Sequence, residues 1–160
     1  MVALITSDEF YGQSVTVDDR YYYYPPEHLW VEDAGNGVYR IGFTHAGVIL
    51  VNGFKYMDFA VEPGEILDVD DSVLYVETFK AMFNITTPIG GEILSINEKL
   101  AEEGIKILED KYFDEYIFEL KCDVPDVTAE LLNPEQYMEA LLRGDSDHCG
   151  AGARVMRRNR

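Results

Sequence analysis

Apolar, β-branched and aromatic residues recur along the middle of the chain in short segments that are separated by turn signals. VYRIGF at 38–43 follows the turn sequence AGNG, and it is succeeded by SVLYVETF at 72–79, NITTP at 84–88 and GEILSIN at 91–97. Short strands bounded by Gly, Pro, Asn and Asp are typical of antiparallel structure, and Pro88–Gly91 has hairpin-turn chemistry. The pattern predicts a mainly β domain made of small antiparallel sheets.

Helix is predicted chiefly near the C-terminal end of the chain. Asn133 can cap a helix that has Pro134 at its first position, and Gln136 follows three residues after the cap. In this arrangement the cap side chain and the later glutamine bond to otherwise unpaired backbone N–H groups. Gly144 can end the helix. Four apolar residues are predicted to share its buried face: Tyr137, Met138, Leu141 and Leu142.

Three other segments have weaker helical patterns. A second short helix is predicted around residues 124–132, and NEKLAEEG is expected to form a turn or two of helix with Asn97 as its cap. THAGVILVNG at 44–53 is ambiguous, because its β-branched residues favour a strand while its position favours a helix. Both interpretations of that segment stay open.

The aromatic run Tyr21–Tyr24 precedes Pro25 and Pro26. It could form an aromatic recognition platform, but an apolar strand leading into an extended proline segment is the simpler interpretation. His28 and Trp30 could line a cleft for a partner, or they could complete the edge of the core.

Composition limits the number of domains and the class of partner. With 160 residues and 47% hydrophobic content, the chain can bury one core, so we expect a single domain. We also expect a monomer. Thirty acidic and 13 basic side chains give a formal net charge of -17, which makes nucleic acid and anionic membranes poor partners. Residues 144–160 lack apolar periodicity, so we expect a disordered tail.

The two cysteines, Cys122 and Cys149, are too few for a disulfide framework or a zinc site, and they fit a reducing compartment. No secretory signal and no run of about 20 apolar residues is readable. These features predict a cytoplasmic protein that is not embedded in a membrane.

The sequence offers little for autonomous catalysis. The three histidines, His28, His45 and His148, are scattered, and no nucleophile, phosphate-binding or metalloprotease motif is present. We therefore expect neither an enzyme nor a metal site. One residue does stand out, because Lys80 is the only basic side chain between Lys55 and Lys99.

Lys80 lies between two β segments, VLYVET and NITTP, so it is predicted at the tip of a hairpin with its ammonium group in water. An exposed hairpin lysine without any role is the plain alternative. A modifying enzyme that must select one lysine would, however, find this one rigidly presented.

VETFKA resembles the lipoyl-attachment motif, in which a glutamate precedes the lysine by three residues and an alanine follows it. TPIGGEI is similar to the run that flanks this motif. The likeness continues from Tyr24 to Leu142 through segments in the order found in the H-protein family of the glycine cleavage system. These segments are EHLWV, VYRIGFTHAG, EPGEILDVDDSVLYVET, EILSINEKL and LLNPEQYMEALL.

The resemblance implies a barrel-sandwich hybrid of the lipoyl- and biotinyl-carrier type: two small antiparallel sheets, short helices and a C-terminal helix. The carrier domain would occupy residues 21–143, after an N-terminal extension at 1–20 and before the tail at 144–160. Lipoate would be joined covalently to Lys80. Glu77 would be recognised by the lipoylating enzyme, a lipoate ligase or transferase.

The resemblance also implies the partners of the carrier. In glycine cleavage these are a pyridoxal-phosphate glycine decarboxylase, an aminomethyltransferase and dihydrolipoamide dehydrogenase, between which the lipoyl group would shuttle an aminomethyl group. Two segments depart from the family pattern: DKYFDEY at 110–116 replaces a DPYGEGW-like turn, and LVNGFKYMDF occupies 50–59.

Three alternatives stay open. A lipoate carrier of another assembly, such as a sulfur-oxidising system that resembles heterodisulfide reductase, would share the motif. A biotin carrier has nearly the same fold, and Met82 near the lysine is similar to biotin sites, although Phe79 and Ala81 are not. The domain could also be an unmodified interaction module.

Overall fold

The structure, a computed structural model, describes residues 4–10, 13–51, 54–78, 81–102, 115–124 and 127–143. Along these residues the elements are β1 (Leu4–Phe10), β2 (Gln13–Asp18), β3 (Tyr22–Tyr24), β4 (Leu29–Gly35), β5 (Val38–Phe43), α1 (His45–Val51), β6 (Phe54–Phe59), β7 (Ile66–Leu67), β8 (Ser72–Thr78), β9 (Met82–Thr86), β10 (Gly91–Ile96), β11 (Phe118–Lys121) and α2 (Pro134–Arg143).

The strands form three antiparallel sheets. A six-stranded sheet has the order β3-β4-β5-β11-β10-β7, and a three-stranded sheet has the order β6-β8-β9. The predicted mainly β class with short helices and a C-terminal helix is confirmed. A third, two-stranded sheet, β1-β2, is formed by residues of the predicted N-terminal extension.

The two larger sheets share one core, here called the aliphatic core. From Leu74 onwards the side chains of β8 alternate, so that Leu74 and Val76 are buried while Tyr75 between them is exposed, and Val73 near the start of the strand is buried as well. This period of two is what a strand with one buried face requires. The core is dominated by the branched aliphatic side chains Leu29, Val31, Ile41, Val61, Leu67, Val73, Leu74, Val76, Ile85, Ile89, Ile93, Leu100, Ile117 and Leu120.

A second cluster, here called the aromatic core, joins the β1-β2 hairpin to α1, α2 and the tyrosine run. Tyr23 stacks on Tyr137 with ring centroids 4.5 Å apart, and Tyr21 stacks on Trp30 at 4.3 Å. Its buried members are Phe10, Val15, Val17, Tyr21, Tyr23, Trp30, Ala46, Tyr137, Met138 and Leu141.

The predicted N-terminal cap of α2 is confirmed. The backbone N–H of Gln136 donates to Asn133 Oδ1 at 2.8 Å, and the backbone N–H of Asn133 donates to Gln136 Oε1 at 2.9 Å. The predicted buried face needs one correction, because Leu142 is 44% exposed while Ala140 is buried. Successive side chains point about 100° apart around a helix axis. Leu141 lies at the centre of the buried face, so Leu142 lies at its edge.

Two other predictions about local structure are wrong. The described part of 124–132 forms a turn at 127–130 instead of a helix, with the Leu131 N–H donating to Thr128 O at 3.0 Å. Pro25 and Pro26 open a 3₁₀-helix, Pro25–Glu27, instead of an extended segment. A proline φ near -65° is compatible with the first turn of a helix, where no N–H is needed.

The ambiguous segment at 44–53 is helical over His45–Val51, and its first turn is capped by Thr44 Oγ1, which accepts from the Gly47 N–H at 3.0 Å. Residues 99–102 are helical, as predicted after Asn97. The tail at 144–160 and most of DKYFDEY lie outside the described residues. Within the residues that the structure describes, no helix is both long and apolar enough to cross a membrane.

Candidate functional site

The lysine singled out by the sequence follows the hairpin strand β8 and precedes β9. These strands pair in antiparallel register, with Glu77 opposite Met82 and Val76 opposite Phe83. The described part of the connection is closed by Thr78, whose N–H donates to Ala81 O at 2.9 Å. Phe79 and Lys80, the two residues between Thr78 and Ala81 in the chain, lie outside the described residues.

The side chain of Thr78 adds a second link across the hairpin. Its hydroxyl accepts a hydrogen bond from the Ala81 N–H at 3.1 Å, and Thr78 as a whole is buried. A threonine suits this position because its branched side chain favours a strand while its hydroxyl can bond to nearby backbone groups. The ends of the connection are therefore held at fixed positions on the three-stranded sheet.

Glu77, the predicted recognition residue, lies on the outward face of β8. Its Oε2 atom is 3.4 Å from Lys55 Nζ on the neighbouring strand β6. The two side chains are 40% and 46% exposed, so this ion pair contributes little to stability, about 0–1 kcal/mol. The carboxylate is thus held in place and remains accessible to a partner.

The candidate residues of the N-terminal half belong to the core. His28 and Trp30 are each 2% exposed, which favours the core interpretation over the partner cleft. His28 Nδ1 lies 2.8 Å from the Tyr137 hydroxyl, which is also 2.8 Å from Thr44 Oγ1. Burial raises the pKa of Tyr137, so the hydroxyl stays protonated and takes part in this network.

His45 also has a structural position. Its Nδ1 atom accepts a hydrogen bond from the Thr16 N–H at 3.0 Å, which links α1 to β2. Burial lowers the pKa of His45, because the charged imidazolium loses hydration there. His148 lies outside the described residues. Among the residues described, no three His, Cys, Asp or Glu side chains are grouped as metal ligands would be.

Sequence reasoning overlooked the residues that hold the hairpin and those that surround it. Thr78 could have been found, since a threonine next to the expected turn is a common local hydrogen-bonding signal. Tyr56 on β6 could not, because only the pairing of β6 with β8 brings it beside Glu77.

Known proteins resemble this chain in sequence. The family model for the glycine cleavage H-protein matches residues 21–143. The chain is 30% identical over 118 residues to the glycine cleavage system H protein of Pseudoalteromonas translucida, covering 74% of this chain and 91% of that protein. It is 31% identical over 122 residues to the H protein of Klebsiella pneumoniae, covering 76% and 93%.

A crystal structure of a glycine cleavage system H protein from Mycobacterium marinum has the same fold, with a TM-score of 0.64 and 21% identity. The match covers 76% of this chain and 95% of that one. Two sheets around an aliphatic core, with a hairpin that brackets one lysine in the sequence, have the fold of the lipoyl- and biotinyl-carrier type. Within that fold type, the chain belongs to the glycine cleavage H-protein family.

Proposed function

We propose that this chain is the lipoyl-bearing carrier of a glycine cleavage system, with lipoate joined by an amide bond to Lys80. The carrier domain is residues 21–143, the range that the family model matches. The observation that carries the proposal is the β8-β9 hairpin, whose two ends are tied together at Thr78 and Ala81 on either side of the TFKA lysine.

The hairpin gives the carrier a firm base for a flexible arm. Leu74 and Val76 of β8 are anchored in the aliphatic core, and the Thr78–Ala81 hydrogen bonds prevent the strand ends from separating. Once attached, the lipoyl group supplies a dithiolane that carries the aminomethyl group and exchanges electrons. The long side chain on a rigid base raises the effective concentration of that group at each active site.

Attachment would join Lys80 Nζ to the lipoyl carboxyl carbon. The bond from that carbon to its activating group breaks, and the amine loses a proton as the amide forms. Because the product has no charge at Nζ, the formal charge of the chain changes from -17 to -18. The protein itself provides position and surface, and the chemistry belongs to the attached group and the partner enzymes.

The partners we propose are glycine decarboxylase, the aminomethyltransferase and dihydrolipoamide dehydrogenase, together with a lipoate ligase or transferase. The strongly acidic chain is suited to basic rims around their active-site entrances, since complementary charge accelerates encounter. We expect the carrier to act as a monomer in the cytoplasm.

Intact mass tests the attachment directly. The protein would be incubated with lipoate ligase, ATP and lipoate, and in parallel with biotin ligase, ATP and biotin. We expect one lipoyl group and no biotin, and we expect Lys80→Arg to abolish the adduct while Lys99→Arg, on an exposed residue elsewhere, keeps it. A biotinyl adduct, an unmodified protein or a persistent adduct in Lys80→Arg would refute the assignment.

The role of Glu77 requires a separate comparison. Glu77→Gln removes the carboxylate and its ion pair with Lys55, whereas Lys55→Met removes the same ion pair and leaves the carboxylate. If the lipoylating enzyme recognises Glu77, only Glu77→Gln should slow labelling. Equal slowing in both variants would show that the ion pair matters instead.

Reconstitution with the three cycle enzymes distinguishes glycine cleavage from other lipoyl systems. The lipoylated protein should support exchange of bicarbonate into glycine by the decarboxylase, while Lys80→Arg should not. Efficient lipoylation without any exchange would assign the carrier to a different assembly.

A further inference from the structure

The outward face of the three-stranded sheet carries two cross-strand rows. The first row is Tyr56, Glu77 and Met82, and the second is Asp58, Tyr75 and Asn84, each taken in the order β6, β8, β9. Side chains directly opposite one another on paired strands are neighbours, about 5 Å apart at Cβ. The pairing therefore gathers residues that are far apart in the sequence into one continuous surface.

Two tyrosines and a methionine of this surface are turned towards solvent. Tyr56 is 55% exposed, Met82 is 54% exposed and Tyr75 is 40% exposed. The opposite face of the same strands is buried in the aliphatic core, as at Met57 and Val76. We call the outward group, formed by Tyr56, Tyr75, Met82, Asp58 and Glu77, the tyrosine face.

The tyrosine face lies beside the hairpin connection. Met82 and Glu77 form the pair next to Thr78 and Ala81, which close the hairpin. Any enzyme that acts on Lys80 must approach this end of the sheet. Tyrosine and methionine are enriched where proteins contact one another, and tyrosines often provide much of the binding energy.

Charge on the face indicates the chemistry of the partner. Asp58 and Glu77 are interleaved with the tyrosines, Lys55 pairs with Glu77 at 3.4 Å, and the whole chain carries -17. An arginine can stack on an exposed tyrosine ring and bond to a neighbouring carboxylate at the same time. The complementary surface is therefore one that presents arginine side chains among apolar groups.

The size of the face argues against a stable dimer. Tyr56 and Met82 are separated by two strand spacings, roughly 10 Å. Stable interfaces bury on the order of 800 Å² on each partner, which a patch of this width does not reach. The face fits a transient encounter, as a carrier that is modified and then released requires.

We propose that the tyrosine face is the docking surface for the enzyme that acylates Lys80, and that this enzyme contacts Tyr56 and Tyr75 with arginine-bearing surface. The inference rests on the proposed attachment at Lys80. It adds Tyr56 of β6 and Tyr75 of β8 to the recognition surface, beside the VETFKA motif that contains Glu77.

The test measures lipoylation by a purified lipoate ligase at varied carrier concentration. Tyr56→Ala and Tyr75→Ala should each raise the KM for the carrier about tenfold with little change in kcat, as loss of an interface anchor does. Tyr56→Phe, which keeps the ring, should stay near wild type. Tyr22→Ala, at an exposed tyrosine of the six-stranded sheet, is the matched control and should be unchanged.

A binding measurement separates this inference from the proposed function. Lys80→Arg protein should bind the ligase without turnover, and adding Tyr56→Ala or Tyr75→Ala should weaken that binding about tenfold. If wild type is lipoylated on Lys80 but the tyrosine variants match the Tyr22→Ala control, the docking surface is refuted alone. If wild type is not lipoylated, the proposed function fails and this inference fails with it. A dimer that dissociates in the tyrosine variants would show that a second copy occupies the face.

Discussion

The two cores of the molecule are stabilised in different ways. The aliphatic core is built from side chains of the two larger sheets, and most of its buried members are Leu, Ile and Val. The aromatic core combines stacked rings with hydrogen bonds: Tyr23 donates to Asp18 O at 2.6 Å, and Asp18 pairs with Arg20 at 2.6 Å. It also holds Tyr137 beside His28 and Thr44.

The two cores are formed by different parts of the chain and support different structures. The aliphatic core lies within residues 21–143, which match the family, and it supports the hairpin around Lys80. The aromatic core includes Phe10, Val15 and Val17 of the N-terminal hairpin, outside that match, and it fixes this hairpin to α2. Apolar burial has no preferred direction, and it is sufficient to hold the two larger sheets together. Hydrogen bonds and ion pairs have a preferred geometry, so they specify how the β1-β2 hairpin packs on the rest of the protein.

Truncation in the aliphatic core should have the largest effect. Leu74 is fully buried on β8, so Leu74→Ala should reduce the free energy of unfolding by about 2–5 kcal/mol through lost burial and a cavity. The measurement is urea denaturation. The control is Leu142→Ala, on the residue of α2 that the structure exposes, and its effect should be within about 0.5 kcal/mol. Equal losses would mean that α2 is packed differently.

Removing one hydroxyl from the aromatic core should have an intermediate effect. Tyr137→Phe keeps the stacked ring but deprives His28 Nδ1 and Thr44 Oγ1 of a buried partner, which should cost about 1–3 kcal/mol. Urea denaturation measures it, with Tyr22→Phe as the exposed control. A neutral result at Tyr137 would show that stacking, and not the hydrogen-bond network, stabilises this core.

Acidification should have the smallest effect, through the hydrogen bond that links His45 of α1 to Thr16 of β2. Since burial lowers the pKa of His45 below its ordinary 6.5, the unfolded chain binds more protons between the two values, and stability rises with pH there. The contribution of neutral His45 to the free energy of unfolding is complete above about pH 6.5 and is lost as the pH falls below that value. A protonated Nδ1 also cannot accept from the Thr16 N–H, so the loss should be about 1 kcal/mol.

Hydrogen exchange of the Thr16 amide, compared between about pH 7.5 and pH 5.5 after correction for intrinsic rates, checks this prediction. Protection should decrease at low pH in wild type and change less in His45→Gln, whose side-chain oxygen cannot be protonated in this range. Protection that is independent of pH in wild type would contradict it.

Much of the architecture was predictable because it depends on local rules. The run of β-branched and aromatic residues between turn signals predicted β8, and the spacing of Asn133, Pro134 and Gln136 predicted the cap of α2, since both patterns act over only a few residues. The helical prediction at 124–132 failed because Leu132 forms backbone hydrogen bonds in both directions with Tyr23 of β3, a tertiary contact that a helix there would not allow. The Lys80 site was predicted from motif resemblance and stays a prediction.

By itself, the sequence determined the strand-rich class, the start of the best-capped helix, the family and the single lysine between two β segments. Only the tertiary structure decided which side chain near the end of α2 is exposed, how the N-terminal hairpin docks and which residues surround the modification hairpin. The physical reason is the separation along the chain of the residues that interact. Periodicity and capping arise within a few residues, whereas the position of Tyr56 opposite Glu77 depends on the register between separate strands, which is fixed only when both pack onto the same core.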